Sequence, residues 1–342
     1  MHRDRARPQG PRHGAVGHGR GRAAAGGPRR RRDGAGADVT ALAATSVEVT
    51  VPASTANLGS GFDALGMALS LHDVVRAEVV DGPPGSVRVE VEGQGAGVVP
   101  ADGSHLVARM LHRTLDRLGV PAPALRLRCR NTIPHSRGLG SSAAAIVAGV
   151  AAGHALAGIS ARDPEYAPAA LQLAAEREGH ADNAAASLFG GFVVAWCEDG
   201  RFRATRLEPH PDVVPVALVP GVESATHTTR GLLPERVPHA DAAFAAGRAA
   251  LAVHALTSDP SLLLAATADR LHQDYREPAW PETVALVRRL RAAGVPAAVS
   301  GAGPTVLALP EAGELPPGLD IAGFEALRLP VDREGVRVTA KP

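Results

Sequence analysis

Polar and apolar residues alternate from Ser46 to Val51, and this pattern predicts a first strand. Two more alternating runs, Asp73 to Asp81 and Ser86 to Glu92, flank Gly82-Pro-Pro-Gly85 and predict a hairpin-like pair. The period then lengthens. His105 to Leu118 has helical apolar spacing, Leu125 to Cys129 reads as a short strand, and Ala143 to Leu156 is an Ala/Ile/Val run of good helix formers without proline. Pro164 to Arg177 predicts a helix with Pro164 just inside its start. Gly190 to Cys197 and Val213 to Val219 read as strands. Three helices follow, over Asp241 to Leu256, Pro260 to Leu271 and Pro281 to Ala293. Ala297 to Val299 and Thr305 to Leu309 then read as strands flanking Ser300-Gly-Ala-Gly-Pro304.

These elements come in clusters rather than in strict alternation, which favours an α+β fold over a doubly wound sheet. Glu208 to Val213 is a polar, proline-containing connector. It divides the chain into a tail over 1–45, an N-terminal domain over 46–210 and a C-terminal domain over 211–342.

Composition narrows the class. Apolar residues make up 45% of the chain but aromatics only 3%, so the cores must be packed with Ala, Val and Leu. Cys129 and Cys197 are isolated, with no CxxC pair, and read as buried thiols in a reducing compartment. No apolar run reaches the roughly 18 residues of a membrane span, so the body is expected to be soluble and cytoplasmic, with no membrane partner. The first 38 residues are different. They hold ten arginines and three aspartates, have no periodic apolar face, and read as disordered. With a whole-chain charge of +1, the remainder is near −6, which argues against nucleic acid as its main partner.

The densest chemical signal is Pro134-His135-Ser136-Arg137-Gly138-Leu139-Gly140-Ser141-Ser142-Ala143-Ala144, a Gly/Ser loop running directly into the Ala143 helix. Glycines let a backbone approach a ligand closely, and a helix N-terminus offers free N–H groups with partial positive charge. Together they can cradle a phosphate, with the Ser141 and Ser142 hydroxyls available to a phosphate oxygen or a magnesium ion. The alternative is a plain turn with a serine N-cap. The only lysine is Lys341. That excludes a Walker A loop, a protein-kinase strand lysine and a pyridoxal Schiff base. A dinucleotide fingerprint fails too, because Ala143 stands where a third glycine is needed.

Other polar groups stand in suggestive places. Asn57 and Asp63 lie in a glycine-flanked loop after the first strand, suited either to a substrate ammonium or hydroxyl or to an Asx turn. His180, Asp182 and Asn183 form a dense cluster that suits metal ligation, acid–base work or a helix cap. Arg230 and Arg276 suit a bidentate grip on a carboxylate.

Taken in order, the segments 52–66, 134–145, 178–183 and 300–305 resemble the motifs of the GHMP small-molecule kinases, and within them the homoserine-kinase branch. The resemblance runs from about residue 46 to about 310. It implies a two-domain fold, with an N-terminal α+β domain of the ribosomal-S5 kind and a ferredoxin-like C-terminal domain. It also implies ATP and Mg²⁺ as cofactors and L-homoserine as the phosphorylated substrate, feeding threonine synthesis. By resemblance, Pro134 to Ala144 bind ATP. Asn57, Asp63, His180, Asn183, Thr226, Arg230 and Arg276 contact substrate, and Asp182 stands where some of these kinases place a base. Ser142 is one metal ligand.

One departure stands out. The family's magnesium-binding glutamate lies, in some members, eight residues before the histidine, where this chain has Gln172. Glu176 and Glu178 are the nearby acids, and Glu178 is taken as the second ligand. Other small alcohols, a ligand sensor without catalysis on the same fold, and a homodimeric assembly remain open at this point.

Overall fold

In the computed structural model, residues 42–222 and 229–341 are described. The arginine-rich segment through residue 41 and Thr226 lie outside them. Packed chain begins ahead of the first strand: the Ala43 amide donates to Leu156 O at 2.8 Å, and Ala44 is buried.

The larger sheet has seven strands. These are β1 (Ser46–Ala56), β2 (Leu65–Val79), β3 (Val87–Gly93), β4 (Leu125–Asn131), β5 (Phe192–Glu198), β6 (Arg201–Leu207) and β11 (Arg337–Lys341). Its order is β11-β1-β2-β4-β3, with the β5–β6 hairpin attached to the first residues of β2. The alternating runs on either side of Gly82–Gly85 are therefore not a hairpin. β4 lies between β2 and β3, antiparallel to one and parallel to the other. The parallel pair requires a crossover, and α1 (Leu106–Arg117) supplies it.

Helices α2 (Ser141–Leu156), α3 (Tyr166–Glu178) and α4 (Asp182–Phe189) share the main core with this sheet. Helix α2 is buried on nearly every side, as its uniformly apolar sequence requires. Pro164 stands two residues ahead of α3 rather than inside its first turn.

The second sheet holds β7 (Val216–Pro220), β8 (Ala297–Val299), β9 (Val306–Ala308) and β10 (Phe324–Arg328) in the order β10-β7-β9-β8, every pair antiparallel. In chain order this is fourth, first, third, second, the ferredoxin-like arrangement. Helices α5 (His239–Thr257) and α6 (Pro281–Ala292) lie between β7 and β8 in the chain. Leu286 and Leu290 of α6 pack on Val216, Leu218, Val299 and Val306.

The helix expected over Pro260 to Leu271 stops early. It is a 3₁₀ turn and a single α turn ending at Ala266, after which Asp269 turns the backbone by accepting three amides. The chain does not end in this sheet, since β11 returns to pair with β1. A separate cluster, with Leu58, Met67 and Phe192 from one side and Ala252, Leu256 and Leu309 from the other, joins the β1–β2 loop to α5.

Candidate active site

The Gly/Ser loop is held from below before it reaches the cleft. Oδ1 of buried Asp73, on β2, accepts the amides of Thr132 (2.7 Å) and Ile133 (2.9 Å), and the Thr132 hydroxyl donates to His72 O at 2.7 Å. Burial pushes the Asp73 carboxyl above the ordinary range, while these amides pull it back. Arg137 ties the loop to the second sheet by donating to Pro220 O and Gly221 O.

Gly138 and Gly140 both have positive φ, +82° and +69°. A Cβ at Gly138 would fall 2.5 Å from Ser300 O, and one at Gly140 would fall 2.1 Å from Ser54 Oγ. Glycine is required at both. Gly140 is also the N-cap of α2, with no side-chain cap bond. The serine-cap alternative is thereby overturned, and the Ser141 and Ser142 hydroxyls remain available.

A cleft of about 740 Å³ opens above this helix start, lined among others by Ser136, Gly138, Gly140, Ser141, Ser142 and Ala143. Five expected loop residues do not line it. Leu139 and Ala144 are buried in the main core, and Pro134, His135 and Arg137 stand outside the lining.

Glu178, at the end of α3, borders the same cleft beside Ser142, whose hydroxyl favours its charged form. Burial raises its carboxyl to about 7, against the lowering pull of His180, and its Oε2 has no partner among the described residues. A half-buried carboxyl whose Oε2 is buried and unbonded, beside an available hydroxyl, makes a fitting pair of oxygen donors for a hard cation. The competing candidates are occupied elsewhere. Glu176 pairs with Arg113, and Gln172 bonds Glu176, Gly200 O and the Phe202 amide, fastening α3 to the β5–β6 hairpin.

A smaller recess of about 60 Å³ adjoins the cleft, and His180, Asn183, Arg230, Gly301 and Ala302 line both. Ala56, Asn57, Asp63, Asp182 and Arg276 complete its wall. The expected substrate residues that are described, Asn57, Asp63, His180, Asn183, Arg230 and Arg276, thus come together, and Thr226 lies outside the described residues. Asn57, with φ +70°, uses its side chain within the loop: Nδ2 donates to Gly301 O at 2.8 Å and Oδ1 accepts the Asp63 amide at 3.0 Å. Asp63 pairs with Arg230. His180 Nδ1 lies 2.7 Å from Asp182 Oδ1, which also accepts the Asn183 amide. Burial lowers the His180 pKa, but the Asp182 bond and charge, with Glu178, outweigh it and raise the imidazole to about 9. Donor atoms of Asp63, His180 and Asp182 lie within 4.8 Å of one another.

Arg276 is the unusual group. It is 3% exposed, and among the described residues no carboxylate lies within 4.0 Å of it. Burial, followed by the nearby Arg230, pulls its guanidinium down to about 10.

Several residues in or behind the wall are not among the individual site residues expected from the sequence, although Ser54 and Gly301 lie in its motif segments. Ser54 donates to Asn183 Oδ1 at 3.0 Å, and the Gly301 carbonyl accepts from both Asn57 and Arg276. His272, a lone histidine in an irregular stretch, touches Arg276. Arg177 lines the cleft next to Glu178.

Residues 105–191 match the family model described as GHMP kinases N terminal domain, a span that holds both the Gly/Ser loop and the His180 cluster. The chain is 51% identical over 300 residues to the homoserine kinase of Streptomyces avermitilis, covering 87% of this chain and 97% of that one. It belongs to the homoserine kinase family of GHMP kinases. The Rhodococcus erythropolis homoserine kinase is 50% identical over 307 residues, with 86% and 96% covered.

Among solved structures, the homoserine kinase of Cytophaga hutchinsonii superposes with a TM-score of 0.75 at 28% identity, over 86% of this chain and 98% of that one. The L. major mevalonate kinase, at 16% identity and a TM-score of 0.61, shares the fold alone. A family of kinases of this kind uses ATP. Among the described residues, no helix is long and apolar enough to cross a membrane.

Proposed function

We propose that this homoserine kinase family member transfers the γ-phosphoryl group of ATP to the side-chain hydroxyl of L-homoserine, giving ADP and O-phospho-L-homoserine. The observation that carries this reading is Arg276: a buried guanidinium that feels the charges of Asp63 and Asp269 but pairs with no carboxylate among the described residues, lining a recess that adjoins the nucleotide cleft. A buried cation is costly unless paired. The substrate's α-carboxylate is the pair it lacks, and a simple sugar or a decarboxylated amino alcohol brings none. Arg230 and Asp63 beside it offer opposite charges to an amino acid's two ends.

In this reading the triphosphate lies over the start of α2, where the amides of Ser141, Ser142 and Ala143 face oxygens rather than helix carbonyls. Ser142 and Glu178 would hold Mg²⁺, which screens the charge of the phosphates. Asp182 keeps His180 protonated at neutral pH, so His180 acts as a fixed positive donor and not as a base. Phosphoryl transfer tolerates this, because its loose transition state asks for charge stabilisation and alignment more than for early proton removal. The hydroxyl oxygen forms the new P–O bond, the bond to ADP breaks, and the hydroxyl proton leaves to solvent or product phosphate.

A coupled assay of ADP formation with homoserine, mevalonate, shikimate, galactose and 3-amino-1-propanol tests the assignment. Homoserine should be preferred at least a hundredfold over each. Equal turnover of homoserine and 3-amino-1-propanol would refute the carboxylate grip.

A further inference from the structure

The segment from Asp269 to Arg276 is irregular in backbone but dense in bonds, and only its last residue stands out in the sequence as a candidate for binding. Asp269 accepts the amides of Leu271, His272 and Gln273 at 2.9, 3.0 and 2.8 Å, which fixes the turn. Gln273 in turn accepts the Val299 amide and so ties the segment to β8. His272 is fully buried at the centre.

Both of its ring nitrogens are used. Nε2 lies 2.8 Å from Gly59 O, in the β1–β2 loop, and Nδ1 lies 3.0 Å from Arg276 Nη1. A carbonyl oxygen only accepts, so the proton sits on Nε2. A guanidinium only donates, so Nδ1 must be bare. The two contacts together select one neutral tautomer. Burial and the Arg276 charge favour the same neutral state, against Asp269. The ring also stacks on Phe62, with centroids 5.2 Å apart, and the Arg276 guanidinium lies 5.8 Å from the Phe62 centroid.

One nitrogen of Arg276 therefore spends its two hydrogens on His272 Nδ1 and Gly301 O, both at 3.0 Å. Nη2 makes no bond within the protein among the described residues, and Arg276 lines the recess.

We propose that His272, locked as the Nε2–H tautomer between Gly59 and Arg276, is a positioning residue that orients the Arg276 fork toward the substrate carboxylate. The inference rests on the reading of Arg276 given above. A planar guanidinium binds a carboxylate in two parallel bonds only when its plane is set, and a small misplacement removes most of the gain. His272, which is not among the residues lining the recess, sets that plane through its bond to Nη1. It also links it to the β1–β2 loop that carries Asp63, so both ends of an amino-acid substrate are referenced to one ring.

The test separates homoserine from ATP. His272→Phe keeps the ring and its stack on Phe62 but loses both hydrogen bonds. It should raise the KM for homoserine at least tenfold, with the KM for ATP unchanged within twofold. His272→Asn puts an acceptor near the Nδ1 position and should recover most of the loss. In an Arg276→Met background, His272→Phe should add nothing further. Unchanged homoserine KM in His272→Phe, or equal rises in both KM values that Asn does not rescue, would overturn the proposal.

If His272→Phe does not fold, His272→Gln replaces it, since its amide reaches the Gly59 carbonyl but leaves no acceptor at Nδ1. Gln must then be at least tenfold worse than Asn in homoserine KM; equal values would overturn the proposal. Arg276→Met alone reports on the functional reading. If it leaves homoserine KM unchanged, that reading fails. If it raises KM while His272→Phe does not, only the positioning role fails.

Discussion

His180 Nδ1 and Asp182 Oδ1 face each other at 2.7 Å, with Asp182 almost wholly buried, and the pair keeps the imidazole charged to about pH 9. The ordinary histidine value is 6.5, so the folded state holds this proton more tightly than the unfolded chain. The resulting stability is fully present below about pH 6.5 and is lost as pH rises through about 9. Asp182→Asn should lower the His180 pKa toward its ordinary value, read by NMR of the ring nitrogens. It should cost on the order of 1–3 kcal/mol at pH 6 by denaturant unfolding. The wild-type advantage should have vanished at pH 10. A constant difference across this range would show that the charge on His180 is not what the pair stabilises.

Glu178 has the opposite consequence. Its carboxyl is raised by burial from 4.5 to about 7, so its contribution favours the fold below about pH 4.5 and fades as pH rises through 7. Glu178→Gln should therefore gain roughly 1–3 kcal/mol over wild type at pH 8 and much less at pH 5, in unfolding without nucleotide or metal. Turnover should fall at least a hundredfold at saturating Mg²⁺ and ATP. A variant no more stable at pH 8 than at pH 5 would contradict the raised carboxyl.

Ser142→Ala removes an exposed hydroxyl at a helix whose cap is Gly140. The melting temperature should stay within about 2 °C, because no cap is lost. Turnover should fall by two orders of magnitude or more, with a raised requirement for Mg²⁺. Full activity at ordinary Mg²⁺ would remove Ser142 from the nucleotide site.

Gly140→Ala introduces a Cβ at φ +69°, 2.1 Å from Ser54 Oγ. Backbone strain alone costs roughly 1 kcal/mol, and the contact forces Ser54 off Asn183. Both the melting temperature and ATP affinity should fall, and Ser54→Gly in the same chain should restore part of each. No rescue by Ser54→Gly would mean that the clash is relieved elsewhere.

Asp73→Ala leaves the buried amides of Thr132 and Ile133 without their acceptor, at a cost of about 1–3 kcal/mol each before relaxation. Because these amides begin the Gly/Ser loop, the KM for ATP should rise together with the stability loss. Asp73→Asn, which keeps Oδ1, should restore both. If ATP binding is unaffected, the loop is held by Arg137 and Ser300 without help from β2.

What the sequence determined by itself was everything encoded over short distances. Apolar spacing placed α1, α2, α5 and α6 within a residue or two, because a helix buries a face that repeats locally. The spacing of Gly138 and Gly140 marked the cleft, because positive φ and close backbone approach admit few other residues. Tertiary structure decided what depends on partners remote in the chain. Strand β4 separates β2 from β3, since pairing is chosen by which edges the crossover helix brings together and not by the turn between two runs. The strands β6, β10 and β11 were not legible, because short, half-exposed strands carry little periodic signal. Gln172, Glu176 and Glu178 are equal in sequence as acids or near-acids. Only folding engages the first two and leaves Glu178 half-buried beside Ser142 with its Oε2 unbonded among the described residues. His272 is the clearest case. Its tautomer, and through it the orientation of Arg276, is set by a carbonyl 213 residues away, and no local pattern can record that distance.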